Sequence, residues 1–520
     1  MKKCFLFIIL LPVVTFNSNA QTPTWSDDVA SIIYNNCSTC HREGGIGPFT
    51  LMSYDDAVTN GFGIQAQVES KLMPPWKADP SFTHFKDERF LSETDINTIS
   101  SWVANGVPSG DLATAPPPPV FQTGSQLPSI DLGLQTPSYT VPVNEDAYRT
   151  FVIHSNFTED VYLNQVEYLP GNGSIVHHIV IFYDPTNFSW NQDQDDPEPG
   201  YERYGVGPIN NASYIIGAWA PGSGIFTLPS NMGILIPAGA DFGIELHYAP
   251  GSQGLTDLTT VNLKFTPIQP VIREVHVDAI LNHFDYLDDG PLFIPANTVN
   301  TFHESFNWEY GDISVVSIFP HMHKIGKSFK VWALDANADT TRFINIPNWS
   351  FHWQGFYNYQ KPVHITNNSI LQAEASYDNT VNNPDNPSNP PQDVEAGEHT
   401  TDEMMLAFFT WLPYEPGDEN IILDSSLVSS APQIDPLQTE VIVYPNPVSD
   451  QLHVYVDLPE SQQLQFDLYT SSGALVKQWK QFVSGNDPLI ENSLSGIAPG
   501  MYVLKLTMKE EVRFAKVMKQ

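Results

Sequence analysis

The residues from Cys37 to His41 read Cys-Ser-Thr-Cys-His, the pattern that attaches a c-type haem. In that arrangement two thiols form thioethers with the haem vinyl groups and the histidine ligates the iron. A Cys-x-x-Cys pair can also be half of a zinc site or a thiol redox pair, but the sequence contains no second cysteine pair that would complete a zinc site. The motif therefore predicts one covalently bound haem, held by Cys37, Cys40 and His41.

The haem iron needs a sixth ligand, and Met73 is the favoured candidate. Met73 stands in a Leu-Met-Pro-Pro-Trp run at 72–76, where the prolines stiffen the loop. A thioether ligand raises the reduction potential of the iron. Met52 is the competing candidate, and a packing role for Met73 is a further interpretation.

A second group of possible metal ligands lies farther along the chain. His177 and His178 are adjacent in a segment with the pattern of a buried strand. Neighbours on a regular strand face opposite sides, so one metal reaches both only across a bulge or at a strand end. His321 and His323 are two positions apart, and such residues share one face of a strand and can chelate one ion. His247, taken alone, is typical of a core histidine.

Met404, taken alone, is typical of a packing residue. Combined with two imidazoles, however, its soft thioether favours Cu(I), the state that binds and reduces dioxygen. Three imidazoles instead suit a copper that alternates between Cu(I) and Cu(II). The ligand types thus distinguish an oxygen-activating site from an electron-transfer site.

The order of these residues resembles that in the copper type II, ascorbate-dependent monooxygenases, the family of dopamine β-monooxygenase and peptidylglycine hydroxylating monooxygenase. Supporting stretches are Ala-Trp-Ala-Pro-Gly at 218–222 and Tyr-Asp-Asn at 377–379. The resemblance covers roughly residues 130–430 and implies two copper ions in separate β-sandwich domains that face a solvent-filled cleft. The implied ligands are His177, His178 and His247 for one copper, and His321, His323 and Met404, the catalytic set, for the other.

The same resemblance implies hydroxylation of an aliphatic C–H carbon of a small organic substrate with one atom of dioxygen. The peptidylglycine branch has an arginine two residues before the His-x-His pair and a partner tyrosine four residues after the methionine. Here these positions are Phe319 and Phe408. Apolar rings leave a carboxylate poorly compensated, so a C-terminal glycine peptide is disfavoured as substrate.

The region around the haem motif resembles a class I cytochrome c, and part of the case for Met73 as axial ligand comes from that resemblance. A capping box at Ser92–Asp95, followed by apolar residues at helical spacing, predicts a helix there. Each hydroxylation needs two electrons. We expect the haem to pass them to the three-histidine copper, with ascorbate or a redox protein as the external donor.

Two stretches near the C-terminus, Val-Tyr-Pro-Asn-Pro at 443–447 and Gly-Ile-Ala-Pro-Gly at 496–500, resemble the type A sorting domain of the bacterial type IX secretion system. The resemblance implies that the secretion machinery exports the protein through the periplasm of a Gram-negative bacterium, to be secreted or kept at the cell surface. A carbohydrate-binding or merely stabilising β-sandwich is the alternative.

The elements that position the ligand candidates are predicted to be strands. Apolar or alternating runs at 175–183, 242–248 and 313–319 are separated by turn residues, which is typical of β-sandwiches. Consecutive prolines at 116–119 predict a stiff, extended linker before them. The remaining histidines, including His283 and His352, are assigned to structure or surface.

Composition agrees with an exported protein of several domains. The 520 residues include 23 basic and 59 acidic ones, a net charge of −36, which excludes nucleic acid as a partner. A charged start, an apolar stretch and a small-residue exit predict a signal peptide ending at Ala20. After its removal only Cys37 and Cys40 remain, so disulfides are not expected.

We therefore expect a multi-domain, mainly β protein with an α-helical cytochrome c domain, two jelly-roll-like antiparallel β-sandwich copper domains and a small C-terminal Ig-like β-sandwich. The expected divisions are a signal peptide at 1–20, the cytochrome c domain at 21–114, a Pro-rich linker at 115–129, the copper sandwiches at 130–268 and 269–432, and the sorting domain at 441–520. The expected function is that of an exported haem- and copper-dependent monooxygenase. A non-catalytic surface electron-transfer or copper-binding protein is the alternative.

Overall fold

The structure is a computed structural model that describes residues 22–121, 124–202, 214–266, 272–424, 442–455, 462–470, 474–483, 489–507 and 512–520. The predicted signal peptide at 1–20 lies outside these residues, as do the expected domain ends at 432 and 441. The chain divides into two compact units, Met1–Asp424 and Ser425–Gln520. The prediction of a mainly β protein with antiparallel sheets is confirmed. None of the helices in the described part of the chain is long and apolar enough to cross a membrane.

Residues 22–110 hold the first helices, which surround a small apolar core. They are a π-helical turn at Trp25–Val29, α1 (Ala30–Asn36), α2 (Tyr54–Thr59), α3 (Gly61–Glu69) and α4 (Glu93–Ala104). The predicted capping box is confirmed: the Ser92 hydroxyl accepts from the Asp95 backbone N–H, and the Asp95 carboxylate accepts from the Ser92 N–H. Helix α4 packs Trp102 against Trp25 in this core.

A first β-sandwich follows the proline-rich segment. Its elements are β1 (Leu132–Gln135), β2 (Tyr139–Thr140), β3 (Ala147–His154), β4 (Val161–Leu169), β5 (Val176–Asp184), α5 (Phe188–Asp195), β6 (Tyr214–Trp219), β7 (Phe226–Thr227), β8 (Met232–Ile236), β9 (Asp241–Tyr248), β10 (Thr256–Asp257), β11 (Thr260–Phe265) and β12 (Arg273–Glu274). In the described residues one sheet runs β1-β11-β4-β8-β12 and the other β3-β9-β5-β6. Their inner faces bury a core of aliphatic and aromatic side chains.

A second β-sandwich completes the larger unit. Its strands are β13 (His276–Asn282), β14 (Phe293–Ile294), β15 (Val299–Trp308), β16 (Ile313–His321), β17 (Gly326–Leu334), β18 (Thr340–Ile346), β19 (Tyr357–Ile365), β20 (Ser369–Asp378), β21 (Val394–Glu395) and β22 (Leu406–Pro413), followed by a 3₁₀ turn at Asp418–Asn420. The two main sheets run β13-β22-β16-β19 and β15-β20-β17-β18. The strands predicted around 175–183, 242–248 and 313–319 are confirmed as β5, β9 and β16.

The C-terminal unit is a separate β structure with its own core. Its strands are β23 (Ile442–Tyr444), β24 (Gln451–Tyr455), β25 (Gln462–Thr470), β26 (Leu475–Val483), β27 (Leu489–Ser493), β28 (Gly500–Thr507) and β29 (Val512–Lys519). They form sheets in the orders β23-β24-β27 and β26-β25-β28-β29. Phe466, Leu468 and Leu504 lie in the core between them.

The chain between α3 and α4, which we call the arm (residues 73–91), leaves the helical core and packs on the second sandwich. Phe85 is 1% exposed, forms an isolated bridge with Tyr359 and stacks on its ring at 5.2 Å. The Asp79 N–H donates to the Asn345 carbonyl at 2.8 Å. The helical region is therefore docked on the sandwiches, and the proline-rich segment is not its only connection to them.

Replacing Phe85 with alanine should loosen the arm, because the lost ring leaves a cavity. We expect the free energy of detaching the arm from the second sandwich to fall by about 3 to 5 kcal/mol. Hydrogen exchange of peptides covering residues 79–86 measures it, through the amides that donate to the second sandwich. Phe62, 83% exposed on α3, provides the matched control: Phe62→Ala should leave exchange of the arm unchanged. Equal protection in Phe85→Ala and the parent would contradict this docking.

Candidate metal centres

His177, His178 and His247, the first histidine set, lie on two neighbouring strands. His178 pairs with His247 across β5 and β9, and the register shifts between Val176 and His178. His177 is therefore the extra residue of a β-bulge. Two adjacent histidines can bind one metal only across a bulge or at a strand end. The bulge at His177 meets this condition, since it turns both rings to one side of the strand.

The nitrogen atoms of this set converge. His178 Nδ1 lies 3.3 Å from His177 Nδ1 and 3.2 Å from His247 Nδ1. One nitrogen from each of the three residues falls within 4.8 Å of the other two. Bonds of about 2 Å from a metal to three imidazoles in a tetrahedral arrangement separate the nitrogens by about 3.3 Å. Two of the three nitrogen separations therefore match those of a metal site, and the third lies within 4.8 Å.

Asp146 and Tyr148 fix the ring of His247. Its Nε2 lies 2.8 Å from Asp146 Oδ1, and the Tyr148 ring stacks on it at a centroid distance of 4.3 Å. A proton on Nε2 that is donated to this carboxylate leaves the lone pair of Nδ1 directed at the other two histidines. Neither residue was singled out by the sequence, because only the fold brings them to the ring.

Burial keeps these imidazoles neutral. It lowers the pKa of His177 to about 3 and that of His178 well below its usual value, and the neighbouring His247 adds to both shifts. Burial also lowers the pKa of His247, against the opposing effect of Asp146. Neutral imidazole is the form that binds metals.

The second set consists of His321, His323 and Met404. His321 Nδ1 lies 2.8 Å from Gln354 Oε1, and His323 Nδ1 lies 3.0 Å from the Asp402 carbonyl oxygen. A proton on each Nδ1 leaves each Nε2 with a lone pair. The Nε2 of His321 is buried without a hydrogen-bond partner among the described residues. A buried nitrogen without a hydrogen-bond partner is what a metal ligand shows when no metal ion is present.

Glu403 holds the two segments of the second set together. Its carboxylate accepts from the backbone N–H groups of His323 at 2.9 Å, Ile325 at 2.8 Å and Met404 at 3.3 Å. Complete burial raises the pKa of Glu403 to about 8 despite these hydrogen bonds. Strand β16 ends at His321, so His323 lies just beyond it. Glu403, rather than a continuing strand, fixes His323 relative to Met404, whose side chain is 1% exposed.

Histidines of both sets line one cavity. His178 of the first set and both histidines of the second set line it. The remaining lining residues are Tyr148, Val180, Ala218, Glu245, Phe319, Phe351, Gln354 and Thr400. Residues of both sandwiches thus line one shared, largely apolar space, at the place where the family resemblance implied a cleft.

Residues 351–354, which we call the bridging segment, contact both sets. The ring of His352 lies 5.5 Å from that of His177, and Gln354 holds His321 as described above. Lys324 forms a second link, because its Nζ lies 3.9 Å from the Asp146 carboxylate that holds His247. The assignment of His352 to structure or surface is therefore incomplete: it is exposed, yet it lies against a predicted ligand.

The haem motif lies in the loop after α1. His41 Nδ1 lies 3.1 Å from the Phe49 carbonyl oxygen, which leaves Nε2 available for an iron. Burial raises the pKa of both thiols, that of Cys37 to about 12, which is unfavourable for a thiol redox pair that must form thiolates. The side chain of Met73 is 36% exposed and Met52 is half-buried, so both stay candidates for the sixth ligand.

Two segments of the chain match known families. Residues 298–420 match the copper type II ascorbate-dependent monooxygenase, C-terminal domain. Residues 442–520 match the secretion system C-terminal sorting domain. The first match contains the whole second set. The chain thus carries a copper-dependent monooxygenase-like domain and a sorting domain, and the protein is exported from a Gram-negative bacterium, secreted or attached to its surface.

Among solved structures, the chain is similar to β-glucuronidases of Faecalibacterium prausnitzii (11% identity, TM-score 0.13) and Lactobacillus rhamnosus (7%, 0.12), covering 37% and 36% of those chains and 42% and 43% of this one. A glycosyl hydrolase family 2 member from Bacteroides cellulosilyticus is 10% identical with a TM-score of 0.11, over 42% of this chain and 28% of that one. The chain thus spans well under half the length of these proteins. No curated protein matches it.

Replacing Asp146 with asparagine should weaken copper binding at the first set by about 10- to 100-fold, because the carboxylate orients His247 and increases its basicity. Anaerobic titration with Cu(I) against a chromophoric chelator measures the affinity. Asp55→Asn, on the exposed face of α2, is the matched control and should bind copper as the parent does. Unchanged affinity in Asp146→Asn would show that the contact does not support a metal.

The metal-free protein should lose stability as the pH falls below 6.5. The imidazoles of His177 and His323, with pKa values of about 3 and 4, stay neutral in the folded protein at pH 5, whereas the unfolded chain binds protons there. Each should cost about 2 kcal/mol at pH 5. The check is the change in urea midpoint between pH 7.5 and 5. That change should be smaller in His323→Phe and unaltered in His84→Phe, an exposed control.

Proposed function

We propose that the protein is an exported haem- and copper-dependent monooxygenase that hydroxylates an aliphatic C–H carbon of a small organic substrate with dioxygen. The single observation that carries the proposal is the convergence of the nitrogens of the first histidine set, with two pairs at 3.2–3.3 Å and all three within 4.8 Å of one another. The second set, which faces the same cavity, supplies the distinct donor chemistry that an oxygen-activating site needs. The family match of the second sandwich supports copper as the metal.

In this proposal His177, His178 and His247 hold one copper, and His321, His323 and Met404 hold the other. Bound copper would supply the two-electron reduction of dioxygen, in which one oxygen atom enters the C–H bond and the other leaves as water. The residues around the sets keep the donors in place. Asp146, Gln354 and the Asp402 carbonyl each hold the far nitrogen of one ring, so that the near nitrogen keeps its lone pair.

The cavity lining supports an apolar substrate without a carboxylate. Phe319 stacks on Phe408 at 5.7 Å, so aromatic rings occupy the positions of the acid-binding arginine and tyrosine. Glu245, 2% exposed, adds a carboxylate group to the lining. A second carboxylate in this space would be poorly solvated and unpaired. Neutral or cationic organic molecules are the substrates that this lining favours, and its apolar side chains exclude water around the reacting carbon.

The Cys-x-x-Cys-His loop supports the haem part of the proposal. Within the described residues, no third metal-binding side chain joins the two thiols to make a zinc site. Cys37 and Cys40 would attach the haem, His41 would bind the iron through Nε2, and Met73 or Met52 would complete the coordination. The haem would pass electrons from an external donor, ascorbate or a redox protein, to the first set.

Met404→Leu tests the catalytic part of the proposal. It removes the thioether at nearly constant volume, so the fold should hold while oxygen consumption with a reductant falls to background. Met405→Leu is the matched control, because Met405 is equally buried but lies in the core of the second sandwich. That variant should consume oxygen like the parent.

Metal analysis of the parent should find one iron and two copper ions per chain. A parent with this content that consumes no oxygen across a panel of neutral and cationic substrates would favour a non-catalytic electron-transfer protein. If the metal analysis finds no copper in the unmodified protein, the proposed monooxygenase function is wrong.

A further inference from the structure

The loop of the haem motif touches the first sandwich at two glycines. A Cβ added to Gly173 would lie 2.7 Å from the Gly44 carbonyl oxygen. A Cβ added to Gly222 would lie 3.6 Å from Cys40 Sγ and would collide with Arg89 Nη1. We call Gly44, Gly173 and Gly222 the glycine seam. At Gly173 a side chain would push the two backbones apart, and at Gly222 it would displace the Arg89 side chain beside Cys40.

Arg89 fastens the seam from the arm. Its Nη1 donates to the Pro221 carbonyl oxygen at 2.9 Å, one residue before Gly222. Gly222 has a φ of +88°, a conformation that glycine adopts without strain. Arg42, directly after the haem motif, is also held, with its guanidinium 4.1 Å from the centre of the Phe121 ring. The Cys40 end of the helical region is therefore fixed on the sandwich.

Both seam positions in the sandwich lie at the strand ends that carry the first histidine set. Gly173 precedes β5, which begins at Val176 and contains His177 and His178. Gly222 follows β6, which ends at Trp219, and Trp219 pairs with Ile179 next to His178. From Gly222 to His178 the connection consists of a short backbone run to Trp219 and the pairing of Trp219 with Ile179. Cys40 lies beside Gly222, since a Cβ built there would come 3.6 Å from its Sγ.

We propose that the glycine seam is the port through which electrons pass from the haem to the first histidine set. The inference rests on the proposed function, because it needs a haem on Cys40 and copper on His177, His178 and His247. One electron leaves the ferrous haem, which becomes ferric, and reduces one cupric ion to cuprous. No bond forms or breaks and no proton moves. An external one-electron donor then reduces the haem again, twice for each hydroxylation.

The fixed docking distinguishes this port from a swinging carrier. A haem domain attached only through a linker would meet the copper site by diffusion within its tether. Here the arm, Arg89 and the seam hold Cys40 at one place on the sandwich. Transfer should therefore be intramolecular, with a rate that does not depend on protein concentration.

Gly173→Val in the full-length protein tests the port, because its side chain must push Gly44 away. Oxidised, copper-loaded protein is mixed anaerobically with less than one equivalent of ascorbate, and the haem absorbance is followed in a stopped-flow instrument. Haem reoxidation by copper should slow by at least about tenfold, since displacing reacting groups by about 1 Å changes rates by such factors. Reduction of the haem by ascorbate should keep its rate, which a general structural defect would not allow.

Gly63→Val is the matched control, since a Cβ there meets nothing within 4 Å, and it should transfer electrons like the parent. Arg89→Met is a second seam variant that adds no bulk at Gly44, and it should also slow transfer. Normal reoxidation in both seam variants, with haem and copper present, would overturn the port alone. A parent that lacks the haem spectrum or copper-dependent reoxidation would overturn the proposed function and the port with it.

Discussion

Burial of neutral imidazole rings is the constraint on which the rest of the structure depends. A ring that lost its water but kept no partner would be costly, and three of the five rings, those of His247, His321 and His323, are anchored through one nitrogen by a group outside the two sets. The anchors come from distant parts of the chain: the Asp146 carboxylate, the Gln354 amide and the Asp402 carbonyl. Gln354 lies in the bridging segment, which also contacts His177, so this one segment of the second sandwich touches both histidine sets.

The same requirement for close packing explains the docked helical region. Phe85 is as deeply buried as the residues that form the core of the second sandwich, and the arm that carries it belongs to the loop between α3 and α4. Apart from Cys4, in the predicted signal peptide, the sequence has no cysteine outside the Cys-x-x-Cys-His loop, so packing of this kind has to provide what disulfides provide in many exported proteins. A helical region that is packed onto the sandwiches cannot drift from them, which suits the proposed transfer of electrons from a haem.

The sequence predicted the elements whose signals are local. The capping box at Ser92 and the strand patterns around His178 and His321 appear within a dozen residues, and their periods are unambiguous. The sequence indicated only that a bulge or a strand end was needed for His177 and His178 to share a metal. It could not place the bulge, because the bulge arises from the pairing with β9, about seventy residues away. Asp146, Gln354 and Phe85 had no local signal at all. Their roles depend on contacts between strands far apart in the sequence, which no period or motif records.

The two histidine sets differ in what surrounds them, and under the proposed function this difference would separate the route of the electrons from the site of the substrate. The first set lies at the strand ends next to the glycine seam, beside the rings of His352 and Trp353. The second set is anchored by Glu403 within the second sandwich, and Phe319 and Phe351 line the cavity with its two histidines. Under the proposed function a substrate in the cavity would meet these rings, both histidines of the second set and His178 of the first, whereas electrons would reach the first set through the glycine seam. The proposed electron route would thus leave the cavity to the substrate.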